Sequence, residues 1–270
     1  MNKNLVLSAA IGYKFNQIEL FIKSLRKFYY ESVVFVIGLN DLELEQELKK
    51  FGCEIIKVKT DRKEIQFKRY EIFLKYIHNK EFKSILLCDS RDIYFQANPF
   101  DFNYKGQINF FLEDQLIKNC PHNSNWILKT YGSSEYEKIS NKIILCSGTV
   151  LGGKLKIQEY LNLITKNIFN FRYKKRLKYL LTFRTDPEGR GCDQGHANYL
   201  VHNSKINNLY LYTNNKGPVA TALYLKKIFF DKKSYLVNEL GEPYLLIHQY
   251  DKRWEEFKKP LESFRTNIDI

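Results

Sequence analysis

The first ninety residues alternate short, mostly apolar runs with segments whose apolar residues recur at helical spacing. The apolar runs, rich in β-branched and aliphatic residues, lie at 4–10, 32–37, 54–58 and 84–88. The segments with helical spacing lie at 17–28, 41–51 and 63–77. Short strands that are apolar throughout are typical of parallel sheets covered by helices on both faces. The pattern predicts an α/β fold that begins βαβαβαβ.

After residue 100 the pattern is less regular. Further strands are predicted at 108–112, 143–146, 209–212 and 244–247, helices at 158–183 and 193–201, and a loop at 184–192. No internal repeat or interdomain linker divides the chain. We therefore expect one domain over 1–270, a Rossmann-like α/β domain with a mixed, mainly parallel sheet flanked by helices and a C-terminal helical or irregular extension.

Composition excludes several classes of protein. A hydrophobic content of 44% with 15% aromatic residues supplies a packed core and excludes a disordered or fibrous chain. The net charge of +13 favours a polyanionic partner such as nucleic acid, an acidic membrane or a phosphorylated substrate, without choosing among them. The five scattered cysteines form no CxxC pair, which favours a reducing compartment. No apolar run approaches the roughly 18–20 residues of a membrane span, so we expect membrane contact to be peripheral.

The sharpest local signal is the segment SILLCDSRD at 84–92, where an apolar strand delivers Asp89 and Asp92 at its carboxyl end. In parallel α/β sheets ligands bind at that end of the strands. Two carboxylates at such a place need a cation or hydrogen-bond donors to offset their desolvation. The alternative is an ordinary turn, in which Asp89 accepts from backbone N–H groups and Asp92 pairs with Arg91.

Other polar residues follow predicted strands or flank predicted helices. Glu113 and Asp114 follow the strand at 108–112, in a position to bind a ligand or to form a solvated turn. Asp193 can cap the helix that follows it. Arg69 either reaches a ligand at the sheet edge or lies on an exposed helix face. His248 differs from the other histidines because it follows an apolar strand and needs a partner there. Cys88 and Cys146 are interpreted as small buried apolar residues.

Four motifs, in this order along the chain, together resemble the nucleotide-sugar-dependent glycosyltransferases of the GT-A fold. They are Asp89-Ser90-Arg91-Asp92, similar to the family's acidic DxD-type motif; Ser147-Gly148 with the glycines at 152 and 153, similar to its asparagine-serine-glycine strand and turn, with Cys146 in place of the usual Asn; Asp193-Gln194, similar to its acceptor-side pair; and His248, similar to its late metal-binding histidine. The acidic residues are three apart here, whereas most relatives have them two apart.

The resemblance implies roles for particular residues. It implies a metal site of Asp89, Asp92 and His248 that binds Mn²⁺ or Mg²⁺, which fits hard carboxylate oxygens joined by one imidazole. The implied donor-binding residues are Ala9, Arg69, Asp89, Ser90, Arg91 and Asp92. The implied sugar- or acceptor-binding residues are Glu113, Asp114, Ser147 and Gly148. The implied catalytic residues are Asp193 and Gln194.

The resemblance also implies partners. Residues 1–100 would form a nucleotide-binding half, 101–250 an acceptor-side half and 251–270 a tail. The donor would be a nucleotide sugar, with a UDP-sugar favoured. The acceptor would be a bacterial glycan of capsule, lipopolysaccharide or O-antigen type. The reaction would be retaining, and the alternative is an inverting reaction in which Asp193 is the carboxylate base. We expect a cytoplasmic protein whose basic segment 172–178 contacts anionic lipid at the inner face of the plasma membrane.

Two other functions use the same features. A Mg²⁺-dependent phosphatase would employ Asp89 and Asp92, although phosphatases of the haloacid dehalogenase type have acidic residues two apart, usually after their first strand. A nucleic-acid-binding protein would account for the charge, but the basic residues are spread over nearly the whole chain and no recognised nucleic-acid-binding motif is present. We therefore expect no nucleic-acid partner.

Overall fold

The computed structural model describes residues 3–182 and 191–269, with the backbone alone described over 176–182. The first part contains β1 (Leu5–Ala9), α1 (Glu19–Phe28), β2 (Ser32–Gly38), α2 (Leu42–Lys50), β3 (Glu54–Val58), α3 (Ile65–Ile77) and β4 (Ser84–Cys88). The middle part contains β5 (Ile93–Phe95), β6 (Ile108–Leu116), α4 (Pro121–Tyr131), α5 (Ser133–Ile139), β7 (Ile143–Gly153), α6 (Lys154–Thr182) and α7 (Asp193–His202). The last part contains β8 (Leu209–Tyr212), β9 (Val219–Thr221), β10 (Phe229–Phe230), β11 (Leu236–Val237), β12 (Leu246–His248) and α8 (Trp254–Asn267).

The main sheet has seven strands in the order β3-β2-β1-β4-β7-β6-β8. β7 is antiparallel to both of its neighbours, and the other six strands run in one direction. The opening βαβαβαβ pattern is confirmed, and its strands and helices lie within a few residues of the predicted bounds. The protein is an α/β fold with a mixed, mostly parallel sheet, compatible with a Rossmann-like arrangement.

Helices cover both faces of this sheet, which explains why its central strands are mostly apolar and buried. In β1, Leu5 and Leu7 join a core with α3, α6 and α7, while Val6 joins a second core with α1 and α2. All three side chains are fully buried. Alternate residues of one strand therefore enter two different cores, so no position in the strand is left for a polar side chain facing solvent.

The structure corrects the prediction for the segment after Cys146. We expected a strand that ends at 146, followed by a glycine turn, but β7 continues to Gly153 and pairs with β4 on one side and β6 on the other. The glycines permit close packing within the sheet rather than a turn. A Cβ on Gly152 would lie 2.8 Å from the backbone oxygen of Gln107 on the neighbouring chain segment.

A smaller three-stranded sheet has the order β5-β12-β9. β12 runs antiparallel to β5 and parallel to β9. β10 and β11 form a separate antiparallel pair. The segment 251–270, expected to be a tail, contains α8, whose Phe257 and Phe264 are fully buried in a cluster with Tyr94 and Ile247. This cluster ties the C-terminal helix to the smaller sheet.

Among the described residues, no helix is both long and apolar enough to cross a membrane. In the basic segment predicted to contact lipid, Arg172 forms a two-pronged ion pair with Glu64. The side chains of Arg176 and Lys178 lie outside the described residues, as does most of the predicted loop at 184–192.

Candidate functional site

The acidic segment after β4 is fixed to two neighbouring strands. The backbone N–H of Asp89 donates to the carbonyl oxygen of Gly148 at 2.9 Å, which ties the segment to β7. The hydroxyl of Ser90 donates to the carbonyl oxygen of Ala9 at 2.9 Å, which ties it to the end of β1. Ser90 is 2% exposed, so its hydroxyl acts as a buried brace. Because both anchors belong to the main sheet, the two carboxylates of this segment have fixed positions at the sheet edge.

His248 is brought to these carboxylates by the smaller sheet. β5 begins directly after Asp92 and pairs with β12, so that Ile93 lies opposite His248. The backbone N–H of Gln249 then donates to the carbonyl oxygen of Asp92 at 2.8 Å. The Nε2 atom of His248 lies 3.6 Å from Oδ2 of Asp89 and 3.6 Å from Oδ1 of Asp92. Residues far apart in sequence therefore converge on one point through strand pairing.

The three side chains offer donor atoms that suit a divalent cation. Two carboxylate oxygens and one imidazole nitrogen lie within 4.8 Å of one another, close to the span of the ligands around a single ion. Hard oxygen donors with one imidazole suit Mn²⁺ or Mg²⁺. The site has room for its members only because residue 148 is glycine. A Cβ there would lie 2.3 Å from Cε1 of His248 and 2.7 Å from Oδ2 of Asp89. The donor set and its surroundings fit a bound metal ion.

The charges of this cluster stabilise one another. Burial acts to lower the pKa of His248, but Cys146 and the carboxylates of Asp92 and Asp89 raise that pKa well above its usual value. Burial acts to raise the pKa of Asp89, but Arg69 and His248 hold it well below its usual value. A positive charge is therefore favoured between the two carboxylates.

Arg69 connects the acidic segment to α7. Its side chain is only 14% exposed, so Arg69 does not lie on an exposed face of α3. Its guanidinium donates to Oδ1 of Asp89. The other terminal nitrogen donates to Oδ2 of Asp193 at 2.7 Å, and the hydroxyl of Tyr70 donates to the same oxygen at 2.8 Å. Asp193 does not cap α7 as we expected, because Cys192 occupies the N-cap position. Its buried carboxylate is instead held by two donors.

A buried carboxylate lies behind the site. Glu113 is 1% exposed, and burial raises its pKa to about 7. The side-chain amides of Gln194 and Gln249 both donate to Oε1 of Glu113, each at 3.4 Å. Asp114 is half-buried and is not among the residues that line the cleft described below.

Cys146 was interpreted from sequence as a small apolar residue, and the structure gives it a polar partner. Its sulfur lies 3.1 Å from Nδ1 of His248. Burial raises the pKa of this thiol. The predicted burial of Cys146 is confirmed, but its contact with the imidazole shows that its surroundings are not apolar.

These groups open onto a cleft of about 480 Å³ at the carboxyl edge of the main sheet. The sequence-predicted residues that line it are Ala9, Arg69, Asp89, Ser90, Arg91, Asp92, Ser147, Gly148, Asp193, Gln194 and His248. Glu113 is not a lining residue, but it accepts hydrogen bonds from Gln194 and Gln249, which line the cleft. Ion pairs limit the freedom of two of these residues to bind a ligand. Arg91 pairs with Asp251 at 2.7 Å, and Asp193 pairs with Arg69.

Several residues that line the same cleft were not predicted from the sequence. They are Ile11, Tyr13, Arg62, Ile65, Gln66, His122, Trp126, Gly191, Gln249 and Lys252. Tyr13 follows β1 at the same sheet edge as Asp89, so the strand-end rule could have found it. Gln249 and Lys252 follow the histidine closely. Nothing in the local sequence distinguishes Trp126 or Arg62, because their positions depend on how helices pack.

No known family model matches the chain, and no curated protein sequence matches it.

Proposed function

We propose that the protein is a metal-dependent glycosyltransferase of the GT-A type that moves a sugar from a nucleotide diphosphate donor to a glycan. The observation that carries this proposal is the convergence of Asp89, Asp92 and His248 at the carboxyl edge of the sheet, inside a cleft. The cleft volume of about 480 Å³ falls in the range usual for small-molecule sites, about 300–1,000 Å³. The order of the four motifs along the chain gives independent support.

The proposed roles follow from the positions of the side chains. Asp89, Asp92 and His248 would hold Mn²⁺ or Mg²⁺, which when bound neutralises the charge that develops on a departing nucleoside diphosphate. Lys252 lines the cleft beside them and would add positive charge for the same phosphates. Ala9, Ser90 and Arg91 line the donor side with Arg69. We favour UDP as the nucleotide.

The acceptor side would be formed by residues from β7, α7 and α4. Ser147, Gly148 and Gln194 line the cleft there, together with the rings of Trp126 and His122, whose centres are 5.9 Å apart. An aromatic face is a suitable surface for the C–H groups of a sugar ring. Glu113 would act through the glutamines it holds, and direct contact of Asp114 with a sugar stays a prediction.

The environment of Asp193 supports retention of configuration. An inverting enzyme needs a free carboxylate to take the proton of the acceptor hydroxyl. One oxygen of Asp193 already accepts from Arg69 and Tyr70, and its side chain is 4% exposed. In the retaining alternative, the departing phosphate oxygen takes that proton on the same face of the sugar. The anomeric configuration of the product, determined by NMR, distinguishes the two.

The acceptor and the location are proposed more broadly. We favour a bacterial surface glycan such as capsule, lipopolysaccharide or O-antigen, and a cytoplasmic protein that touches anionic lipid through 172–178. Exposed Phe169 and Tyr173 on α6 would add apolar contact to such a surface. Arg172 contributes less than its charge suggests, because Glu64 neutralises it.

A thermal-shift screen of nucleoside diphosphates with and without Mn²⁺ tests the donor and the metal together. We expect stabilisation only when UDP and Mn²⁺ are both present, by about 2.7 kcal/mol when the ligand concentration is a hundred times its dissociation constant. Asp92→Ala should abolish this stabilisation and the turnover of the UDP-sugar while the metal-free melting temperature stays close to that of the wild type.

Glu71→Gln is the matched control, because it removes an exposed carboxylate on α3 that pairs only with Lys75 among its described contacts. It should bind UDP and Mn²⁺ as the wild type does. Normal turnover in Asp92→Ala would overturn the metal assignment. Mg²⁺-dependent phosphatase activity without binding of a nucleotide sugar would instead support a hydrolase.

A further inference from the structure

The imidazole of His248 has two nitrogens with different surroundings. Nε2 faces the carboxylates of Asp89 and Asp92, each at 3.6 Å. Nδ1 lies 3.1 Å from the sulfur of Cys146, a residue that is fully buried. The buried carboxylate of Glu113 on β6 contacts the neighbour of this histidine, because the amide of Gln249 donates to its Oε1 at 3.4 Å. Cys146 on β7 therefore contacts His248 on β12 directly, and Glu113 reaches it through Gln249.

The proton position on this imidazole follows from the requirements of metal binding. A nitrogen that binds a metal must present its lone pair, so the proton of the neutral imidazole must be on Nδ1. Metal-binding histidines usually donate this proton to a carboxylate, a carbonyl oxygen or water. Here Nδ1 lies 3.1 Å from the sulfur of Cys146, so the sulfur is the acceptor for Nδ1–H.

Glu113 is itself held in place. The amides of Gln194 and Gln249 donate to its Oε1 at 3.4 Å each. Gln249 directly follows His248 and adopts a left-handed backbone conformation with φ of +63°. A non-glycine residue adopts that conformation only where surrounding contacts enforce it. Two hydrogen bonds supply such contacts: the side-chain amide of Gln249 donates to Glu113, and its backbone N–H donates to the carbonyl oxygen of Asp92.

We propose that Cys146 and Glu113 are positioning residues that fix the tautomer and the orientation of His248, so that Nε2 faces the metal. The proposal rests on the metal site of the proposed function, but not on the identity of the nucleotide or the sugar. It assigns Cys146 a defined task at the position where the resembled family usually has asparagine.

The test is the affinity for Mn²⁺ alone, measured by EPR from the signal of free Mn²⁺ during titration of the full-length protein. Cys146→Ala removes the acceptor for Nδ1–H and should weaken Mn²⁺ binding about 10- to 100-fold, the usual effect of losing an outer partner of a metal ligand. Cys146→Ser keeps an acceptor and a donor at the same place, so it should restore binding to within about threefold. Glu113→Gln should weaken binding about tenfold.

Cys53→Ala is the matched control, because it removes another buried sulfur, in the core cluster that α1 and α2 form with the sheet. It should leave Mn²⁺ affinity unchanged. A second readout is ¹⁵N NMR of the histidine side chains with Mg²⁺ bound, which should show His248 protonated at Nδ1 in the wild type. A merely structural role of Cys146 would not produce the expected difference in Mn²⁺ affinity between Cys146→Ala and Cys146→Ser. If Cys146→Ala does not fold, Cys146→Ser and Glu113→Gln with the NMR measurement still decide.

The outcomes separate this proposal from the proposed function. Wild-type affinity in Cys146→Ala, or a proton on Nε2 of metal-bound protein, would overturn the positioning role while the metal site stands. Absence of Mn²⁺ binding in the wild type would overturn both. Loss of Mn²⁺ affinity in Cys146→Ala with no binding of UDP would support the positioning role and remove the proposed donor.

Discussion

Two histidines of this protein are equally buried and have opposite pKa shifts. His248 is 2% exposed and His196 is 1% exposed. The pKa of His248 is raised well above its usual value by Cys146 and two carboxylates, which outweigh burial. Burial alone lowers the pKa of His196 to about 4. The first therefore favours a positive charge and the second excludes one.

The difference lies in the neighbours that each fold region supplies. His196 lies between the rings of Tyr131 and Phe171, with its Nδ1 atom 2.6 Å from the hydroxyl of Tyr131. His248 stands at the edge of the main sheet, where strand ends deliver Asp89 and Asp92. Burial alone therefore does not show whether a histidine has a binding role or a structural role. The charge of the neighbouring side chains distinguishes these two roles. In this protein only the charged surroundings are suited to a cation.

The largest expected effect tests this distinction directly. His248→Phe should weaken Mn²⁺ affinity on the order of a thousandfold, because loss of a direct ligand exceeds the 10- to 100-fold effect of outer partners. His196→Phe removes an equally buried imidazole from the aromatic surroundings and should leave Mn²⁺ affinity unchanged. Calorimetric titration with Mn²⁺ measures both. Equal affinities in the two variants would remove the distinction between the histidines.

A second test uses two glycines of the same strand, β7. A Cβ on Gly148 would collide with His248 and Asp89, whereas a Cβ on Gly153 would have its nearest contact at 3.9 Å, an ordinary van der Waals distance. Gly148→Ala should therefore displace the imidazole and weaken Mn²⁺ binding about a hundredfold, comparable to losing a partner of a metal ligand. Gly153→Ala should bind Mn²⁺ as the wild type does. Tight binding by Gly148→Ala would show that the metal lies elsewhere.

The sequence predicted those parts of the fold that have a strong local pattern. β3, β4 and β8 were placed at their observed bounds, because short apolar runs flanked by polar residues define them. β5 and β9–β12 were missed or displaced, since strands of two or three residues have no periodicity to detect. The extension of β7 to Gly153 was missed for a different reason. Glycines favour turns in isolation, and only the close approach of β6 shows why they belong in a strand.

In the candidate site too, residues with a local sequence pattern were predicted and contacts that depend on packing were not. Asp89, Asp92 and His248 were predicted because polar residues after apolar strands are costly unless they have partners. The contact of Cys146 with His248 was not predicted, since a thiol next to an apolar strand has no distinctive sequence pattern. Arg69 was identified, but its pairing with both Asp89 and Asp193 depends on α3 and α7 meeting over the sheet. Contacts between helices of this kind are properties of packing, and one sequence does not encode them locally.

The smallest of the expected effects is a dependence of stability on pH that arises at His196. The pKa of His196 is lower in the folded protein, at about 4, than the usual 6.5 of the unfolded chain. The unfolded state therefore binds the proton more tightly, so the contribution of His196 to stability is present above pH 6.5 and is lost as the pH falls towards 4. Between pH 7 and pH 5 the expected loss is about 2 kcal/mol. Urea unfolding of His196→Gln at the two pH values should show a pH dependence of the unfolding free energy that is smaller by that amount than in the wild type.

His202→Gln is the matched comparison, because burial also lowers the pKa of His202 to about 4. This variant should lose a similar part of the pH dependence. An unchanged pH dependence in His196→Gln would show that this imidazole is not held neutral, and the contrast with His248 would fail.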